Sequence, residues 1–176
     1  MKNQKEGARI LGFHLEGPFL AEKHKGAQRA DWLQKPSVEL FKQLEESSDH
    51  QIKLLSLAIE NDDNLDLVKY CHKQGVVLSV GHSGANIDLI RQAQKFGLKS
   101  FTHTFNGMSG LHHRDVGTAG AALRIEEMYA ELIGDGVHVN TDVAYILAKA
   151  KGKDKLILVT DAVQIKGLAQ GVHQFY

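Results

Sequence analysis

Six short apolar runs in this sequence end, one after another, on or near residues able to do acid–base or metal chemistry. The first closes on His14-Leu15-Glu16 and the third on Gly81-His82-Ser83. The fourth holds His103 and runs into Asn106-Gly107-Met108. The fifth runs into Asp135-Gly136-Val137-His138, and the sixth ends Thr160-Asp161. The second is the exception, reaching Glu60 only just beyond its end. Closing an apolar strand on a carboxylate or imidazole carries a desolvation penalty unless the groups share a partner. A divalent cation is such a partner: it neutralises a carboxylate, and neutral imidazoles suit zinc, iron or a similar metal. Glu16, His82 and His103 supply three protein ligands and leave a position for water, as catalytic rather than structural sites do. Asp161 is the spare carboxylate, available as proton acceptor for that water. Taken singly, each histidine reads more readily as structural, and Asp161 as the cap of a turn. The recurrence on successive strand ends is what points to one metal site.

Those groups meet only if the runs are parallel strands opening on one edge, where ligands gather in α/β proteins. The runs are 9–16, 52–59, 76–82, 100–105, 130–137 and 155–161, and several are nearly continuous in apolar residues, as strands buried on both faces are. Helix-like segments lie between them. Residues 36–46 follow Pro36, favoured in a first helical turn. Segment 63–74 carries Leu65, Val68 and Cys71 at helical spacing and stops at Gly75. Segment 85–96 stops at Gly97, and 141–151 carries Val143, Ile146, Leu147 and Ala150 before Gly152. Strands alternating with helices predict an α/β chain of repeated βα units.

Composition narrows the function. The 176 residues suit one compact domain, with 43% hydrophobic and 24% charged residues. Twenty-one basic residues balance twenty-one acidic ones, so the basic excess of a nucleic-acid binder is missing. No apolar run has the roughly 18 residues of a membrane helix. The opening Met-Lys-Asn-Gln-Lys-Glu has no apolar stretch behind its charges, so no secretory signal is expected. One cysteine, Cys71, excludes an intramolecular disulfide and fits a reducing, cytoplasmic compartment. Cys71 is expected in the core. His14 shares a strand face with Glu16 by the two-residue period. His24, His50, His72, His112 and His173 lie in polar stretches or proposed helices and are expected at the surface, while His113 stands beside Arg114.

Seven stretches, taken together, resemble the N-acetylglucosamine-6-phosphate deacetylase family of the amidohydrolase superfamily. They are H-L-E-G-P-F-L (14–20), K-G-A (25–27), G-H-S-G-A (81–85), T-H-T-F-N-G-M (102–108), H-R-D-V-G (113–117), D-G-V-H-V (135–139) and V-T-D-A (159–162). The resemblance implies an incomplete (β/α)8 TIM-type barrel of about six βα units, with residues 1–176 as its central part. The first and last barrel strands and a small β domain would then lie outside the chain. It implies metal-dependent hydrolysis of the acetamide of N-acetyl-D-glucosamine 6-phosphate, in amino-sugar catabolism, with one divalent cation per site and a second in some relatives. Glu16, His82 and His103 resemble the metal ligands and Asp161 the catalytic base. Ala27 and Gln28 occupy the loop facing the acetyl group, where some members carry histidine in place of Gln28. Asn106, Gly107 and His138 resemble substrate contacts. Arg114 resembles the arginine that reaches the phosphate in a neighbouring subunit's site, implying a homodimer. The same scaffold on another amide or amino-group substrate, and a folded but inactive piece that self-associates through its strand edges, remain the alternatives.

Overall fold

A computed structural model describes residues 7–174; the opening hexapeptide read above for a secretory signal lies outside the described residues. Six parallel strands stand in sequence order in one sheet: β1 (Phe13–Glu16), β2 (Ile52–Leu57), β3 (Val77–Val80), β4 (Leu98–Phe101), β5 (Tyr129–Ile133) and β6 (Leu156–Val159). Five helices connect them: α1 (Val38–Ser47), α2 (Asp66–Lys73), α3 (Ile87–Gln94), α4 (Gly117–Arg124) and α5 (Thr141–Lys155). No helix among the described residues is long and apolar enough to cross a membrane.

Local chemistry starts these helices where the sequence suggests. Ser37 accepts a hydrogen bond from the Leu40 N–H at the head of α1, and Asn86 from Leu89 at the head of α3. Asn140 does the same for the Asp142 N–H at the start of α5. That helix runs past the expected end at 151, to Lys155, through a break at Gly152, whose φ of 62° lies in the left-handed region. Buried Leu55, Leu57, Leu78, Val80 and Phe101 form the strand side of a core that Phe41, Val68, Cys71, Ile90 and Leu147 cover from the helices. Cys71 is fully buried, as expected, and burial pushes its thiol far up, which leaves it inert as a nucleophile.

The sheet is strongly curled. In a flat sheet, β1 and β4 would stand about 14 Å apart at ~4.8 Å per strand. Yet Glu16, the last residue of β1, touches His103, just beyond β4, at 3.2 Å. One cavity of about 320 Å³ is lined at once by His14 and Glu16 from β1, Glu131 from β5, and Val159 to Asp161 from the end of β6. Six parallel strands closing on a shared interior form an incomplete TIM-type barrel. Its two edge strands leave Phe13, Ile157 and Leu158 exposed.

Behind the barrel, Lys151 of α5 is buried, and its Nζ donates to the carbonyls of Ile125 (2.5 Å) and Met128 (2.9 Å), pinning the connection into β5. Burial pushes this ammonium from 10.5 down to about 8. A group that releases its proton more readily folded than unfolded makes stability rise with pH between those two values. Lys151→Met should therefore flatten the gain in urea midpoint between about pH 8 and 10. Parallel midpoint-against-pH curves for both proteins would place that dependence elsewhere.

Candidate metal centre

The residues that converge sit on a repeated strand-to-loop turn. β3, β4 and β6 end at Val80, Phe101 and Val159, and two residues later stand His82, His103 and Asp161. All three have left-handed backbone, with φ of 48°, 29° and 48°. Non-glycine residues adopt this region at a cost, and its recurrence at strand ends is a mark of functional sites.

Glu16, His82 and His103 each present one donor atom, all within 4.8 Å of one another. Glu16 Oε1 lies 2.7 Å from His82 Nε2 and 3.2 Å from His103 Nε2, and the two Nε2 atoms are 3.1 Å apart. Tetrahedral zinc with bonds of about 2.0–2.1 Å spaces its donors roughly 3.3 Å apart, close to this triangle. The hydrogen-bond pattern adds a stricter test. His82 Nδ1 donates to the His24 carbonyl at 2.7 Å, and a carbonyl only accepts, so Nδ1 carries the hydrogen. In its neutral form His82 then presents the Nε2 lone pair to a carboxylate oxygen and a second imidazole. That juxtaposition needs positive charge among the three atoms, from a proton or a cation, and a nitrogen–nitrogen–oxygen set suits a divalent metal. The electrostatics agree. Burial works against charge on Glu16, but the His103 and His82 imidazoles that face it hold its carboxyl well below the usual range. Burial likewise opposes protonation of His103, and Glu16 overrides it, raising the imidazole above its ordinary value.

Small residues let this cluster close. A side chain at Gly107, φ 56°, would come within 2.7 Å of His82 Nδ1, and one at Gly81 within 2.7 Å of the Thr102 Cβ. Beneath the donors, hydroxyls link the inner strands. His14 Nε2 and Ser56 Oγ lie 2.7 Å apart, Ser56 and Thr102 share a 2.5 Å hydrogen bond, and Thr102 donates to Ser79 at 2.6 Å.

The other expected site residues fall in three groups. Asp161 lines the cavity that contains Glu16 and His103, and its charge acts on His103. Gln28 lines an adjoining cleft shared with Glu16, while Ala27 is exposed on the same loop. Asn106 and Gly107 follow His103 directly: the Asn106 side chain donates to the His103 carbonyl at 3.2 Å, and the Gly107 carbonyl accepts from the Ser83 N–H. Arg114 and His138 are not drawn into the cluster. Arg114 Nε donates to His113 on an exposed loop, and His138 pairs with Asp135 at 2.6 Å.

Four positions contribute more than sequence reading assigns to them. His24, expected at the surface, is half-buried, and its carbonyl orients His82. Glu60 accepts from Ser83 Oγ at 2.6 Å and from the Gly84 N–H at 2.5 Å, bracing the loop that carries His82. Thr118 on α4 donates to the carbonyls of Ser83 and Ala85 on the same loop. Glu131, a lone acid in an apolar run, lies buried in the barrel with its carboxylate on the His103 backbone N–H.

Parallel strands curled around such a donor set, with a further carboxylate at the cavity, define an incomplete TIM-type barrel with a candidate metal centre at its mouth. Comparison with known proteins narrows the class. N-acetylglucosamine-6-phosphate deacetylase of Bacillus subtilis (strain 168) is 41% identical over 169 residues, covering 96% of this chain and 43% of the relative. N-acetylgalactosamine-6-phosphate deacetylase of Escherichia coli O157:H7 is 35% identical over 165 residues, covering 94% of this chain and 44% of the relative. Among solved structures, the N-acetyl-D-glucosamine-6-phosphate deacetylase of Mycobacterium smegmatis, as a mutant in complex with N-acetyl-D-glucosamine-6-phosphate, superposes with a TM-score of 0.87. It is 30% identical and covers 93% of this chain and 43% of that one. No protein-family model matches. By sequence and by fold the chain is a homologue of the N-acetylglucosamine-6-phosphate deacetylases, and it spans less than half the length of the curated relatives it matches.

Proposed function

We propose that residues 1–176 form the central part of the catalytic barrel of an enzyme that hydrolyses the acetamide of N-acetyl-D-glucosamine 6-phosphate. The products are D-glucosamine 6-phosphate and acetate. The observation that carries this reading is the meeting of the Glu16, His82 and His103 donor atoms beside a cavity that Glu16, His103 and Asp161 line. The relatives' names supply the substrate class.

In this reading Glu16, His82 and His103 hold one divalent cation. When bound, the ion supplies Lewis-acid chemistry, making water more acidic and a carbonyl more electrophilic. Asp161 takes a proton as water adds to the acetyl carbon, and returns it to the nitrogen as the C–N bond breaks. Both protons of the water are then accounted for: one leaves on the amine, the other with the acetic acid formed. The Gln28 amide donates to the acetyl oxygen; unlike an imidazolium it brings no charge, so proton transfer rests on Asp161. Asn106, Gly107, His138 and Arg114 bind the sugar phosphate. Arginine suits phosphate because its planar fork can bind bidentately, and in this reading Arg114 serves the site of a second copy in a cytoplasmic homodimer.

Acetate release from N-acetyl-D-glucosamine 6-phosphate by the full-length protein tests the reading. A chelator should abolish turnover and added zinc restore it; a chelator-resistant rate would refute the metal role. The galactosamine epimer serves as the competing substrate, since a relative carries that name. Arg114→Ala should raise KM for the phosphorylated sugar by about 10-fold or more, the weight of one charge-assisted contact. The unphosphorylated sugar should be unaffected, and equal losses on both would remove Arg114 from the phosphate site.

A further inference from the structure

His82 and His103 are held in different ways. A metal-binding histidine is usually oriented by a hydrogen bond from its second ring nitrogen. His82 has that bond, from Nδ1 to the His24 carbonyl. His103 does not: its Nδ1 is buried, and no group among the described residues accepts from it. Apart from its Nε2 contacts with Glu16 and His82, the ring is aimed by its backbone, which sits in the left-handed region at φ 29°.

That backbone leaves the sheet at an unusual place. The β4–β5 ladder is short, pairing Ser100 with Tyr129 and Phe101 with Ala130, whereas β2–β3 and β5–β6 each pair four residues. Where the ladder stops, Glu131 takes over. Its side-chain Oε2 accepts from the His103 N–H at 3.3 Å, and its main-chain carbonyl accepts from the Thr104 N–H at 2.8 Å. On the other side, the Thr102 N–H donates to the Val80 carbonyl at 3.0 Å. Three successive amides are thus secured, and the middle one depends on a side chain. We propose that Glu131 is the positioning residue for His103: its carboxylate stands in for the missing ladder carbonyl and fixes the turn that directs His103 Nε2 at Glu16 and His82.

The proposal rests on the metal-centre reading above, and the test separates the two. Glu131→Asp keeps the charge but withdraws the acceptor by one methylene, whereas Glu131→Gln loses the charge but keeps an acceptor at full reach. In the full-length protein, Co²⁺ titration followed through the ion's visible absorption should show Glu131→Asp weakened by about 10–100-fold, the usual loss for an outer-shell partner. Its band shape should change as well, which a general loss of stability would not cause. Glu131→Gln should retain near-normal affinity and band shape. Wild-type binding in Glu131→Asp, or equal loss in both variants, overturns the positioning role while leaving the metal centre intact. Absence of Co²⁺ binding by the unmodified protein overturns both. If Glu131→Asp does not fold, amide hydrogen exchange decides: the His103 N–H should be as protected as the ladder amides of Ser100 and Phe101 in the unmodified protein, and fast exchange there overturns the proposal.

Discussion

Removing either imidazole of the donor triangle should cost more than about 100-fold in metal affinity, because loss of an outer-shell partner alone costs about 10–100-fold. His103→Ala and His82→Ala each leave only two donors, Glu16 Oε1 and one imidazole, too few to hold a divalent ion against water. Both positions have positive φ, 29° and 48°, and an alanine there adds backbone strain. His82→Asn, which tolerates the left-handed region, is the control for that contribution. Isothermal titration with Zn²⁺ or Co²⁺ reads the loss directly, and full retention in both alanine variants would remove the ligand assignment. The same measurement against pH tests the electrostatics. Despite its burial, His103 is held above its ordinary proton affinity by Glu16, and it must lose that proton to bind a cation. Apparent affinity should therefore tighten as pH rises above the ordinary histidine range near 6.5. A flat profile between about pH 6 and 8 would show that no proton is displaced.

Much of the scaffold was legible because its strands are apolar on both faces. β2 and β3 stand inside the expected runs 52–59 and 76–82, with Leu55, Leu57, Leu78 and Val80 fully buried. The expected strands overshoot, however. Runs drawn to 105, 137 and 161 end in the structure at 101, 133 and 159, and the first begins at 13 rather than 9. Apolar pattern records burial, and His103 remains buried after the chain has turned into the left-handed region and left the ladder. Helix α4 leaves little mark in the sequence for a related reason. Its Gly117-Thr118-Ala119-Gly120-Ala121-Ala122 run has neither large apolar residues at helical spacing nor good helix formers throughout, and its stability comes from packing. A side chain at Gly120 would meet Leu111 at 2.8 Å, and Thr118 ties the helix to the His82 loop.

The candidate site was legible where its chemistry lies in residue type and hidden where it lies in the backbone. A glutamate and two histidines at strand ends can be read from the letters. The carbonyl of His24 cannot, since any residue at that position offers one, and the polar surroundings of Glu22, Lys23 and Lys25 suggest a solvated loop. Glu131 did leave a signal, a single acid between Ala130 and Leu132 in a strand buried from Ala130 onward. A carboxylate in such a place is costly unless something donates to it, and the donor, the His103 amide, is 28 residues distant in sequence. Arg114 and His138 show the opposite case: their residue types fit phosphate binding, yet in one copy of the chain their hydrogen bonds stay within their own loops.

Asp161→Asn should bind the metal normally and yet lose kcat by about 10²–10⁴-fold, the usual contribution of a positioned general base. The choice of asparagine matters. Asp161 has φ 48°, and asparagine is among the few residues that adopt this region readily, so the turn after β6 is preserved. The amide has the shape of the carboxylate but cannot accept the proton of the attacking water, which isolates that one step. Alanine would mix lost chemistry with strain at a left-handed position. Because Asp161 lines the cavity but makes none of the triad's hydrogen bonds, the Zn²⁺ titration of Asp161→Asn should overlay that of the unmodified protein. Steady-state rates on N-acetyl-D-glucosamine 6-phosphate should fall in kcat with KM little changed, because a base contributes in the transition state rather than to ground-state binding. Near-normal kcat would assign the proton to another group. Glu131 and His14, which share the cavity, would then be the next to replace.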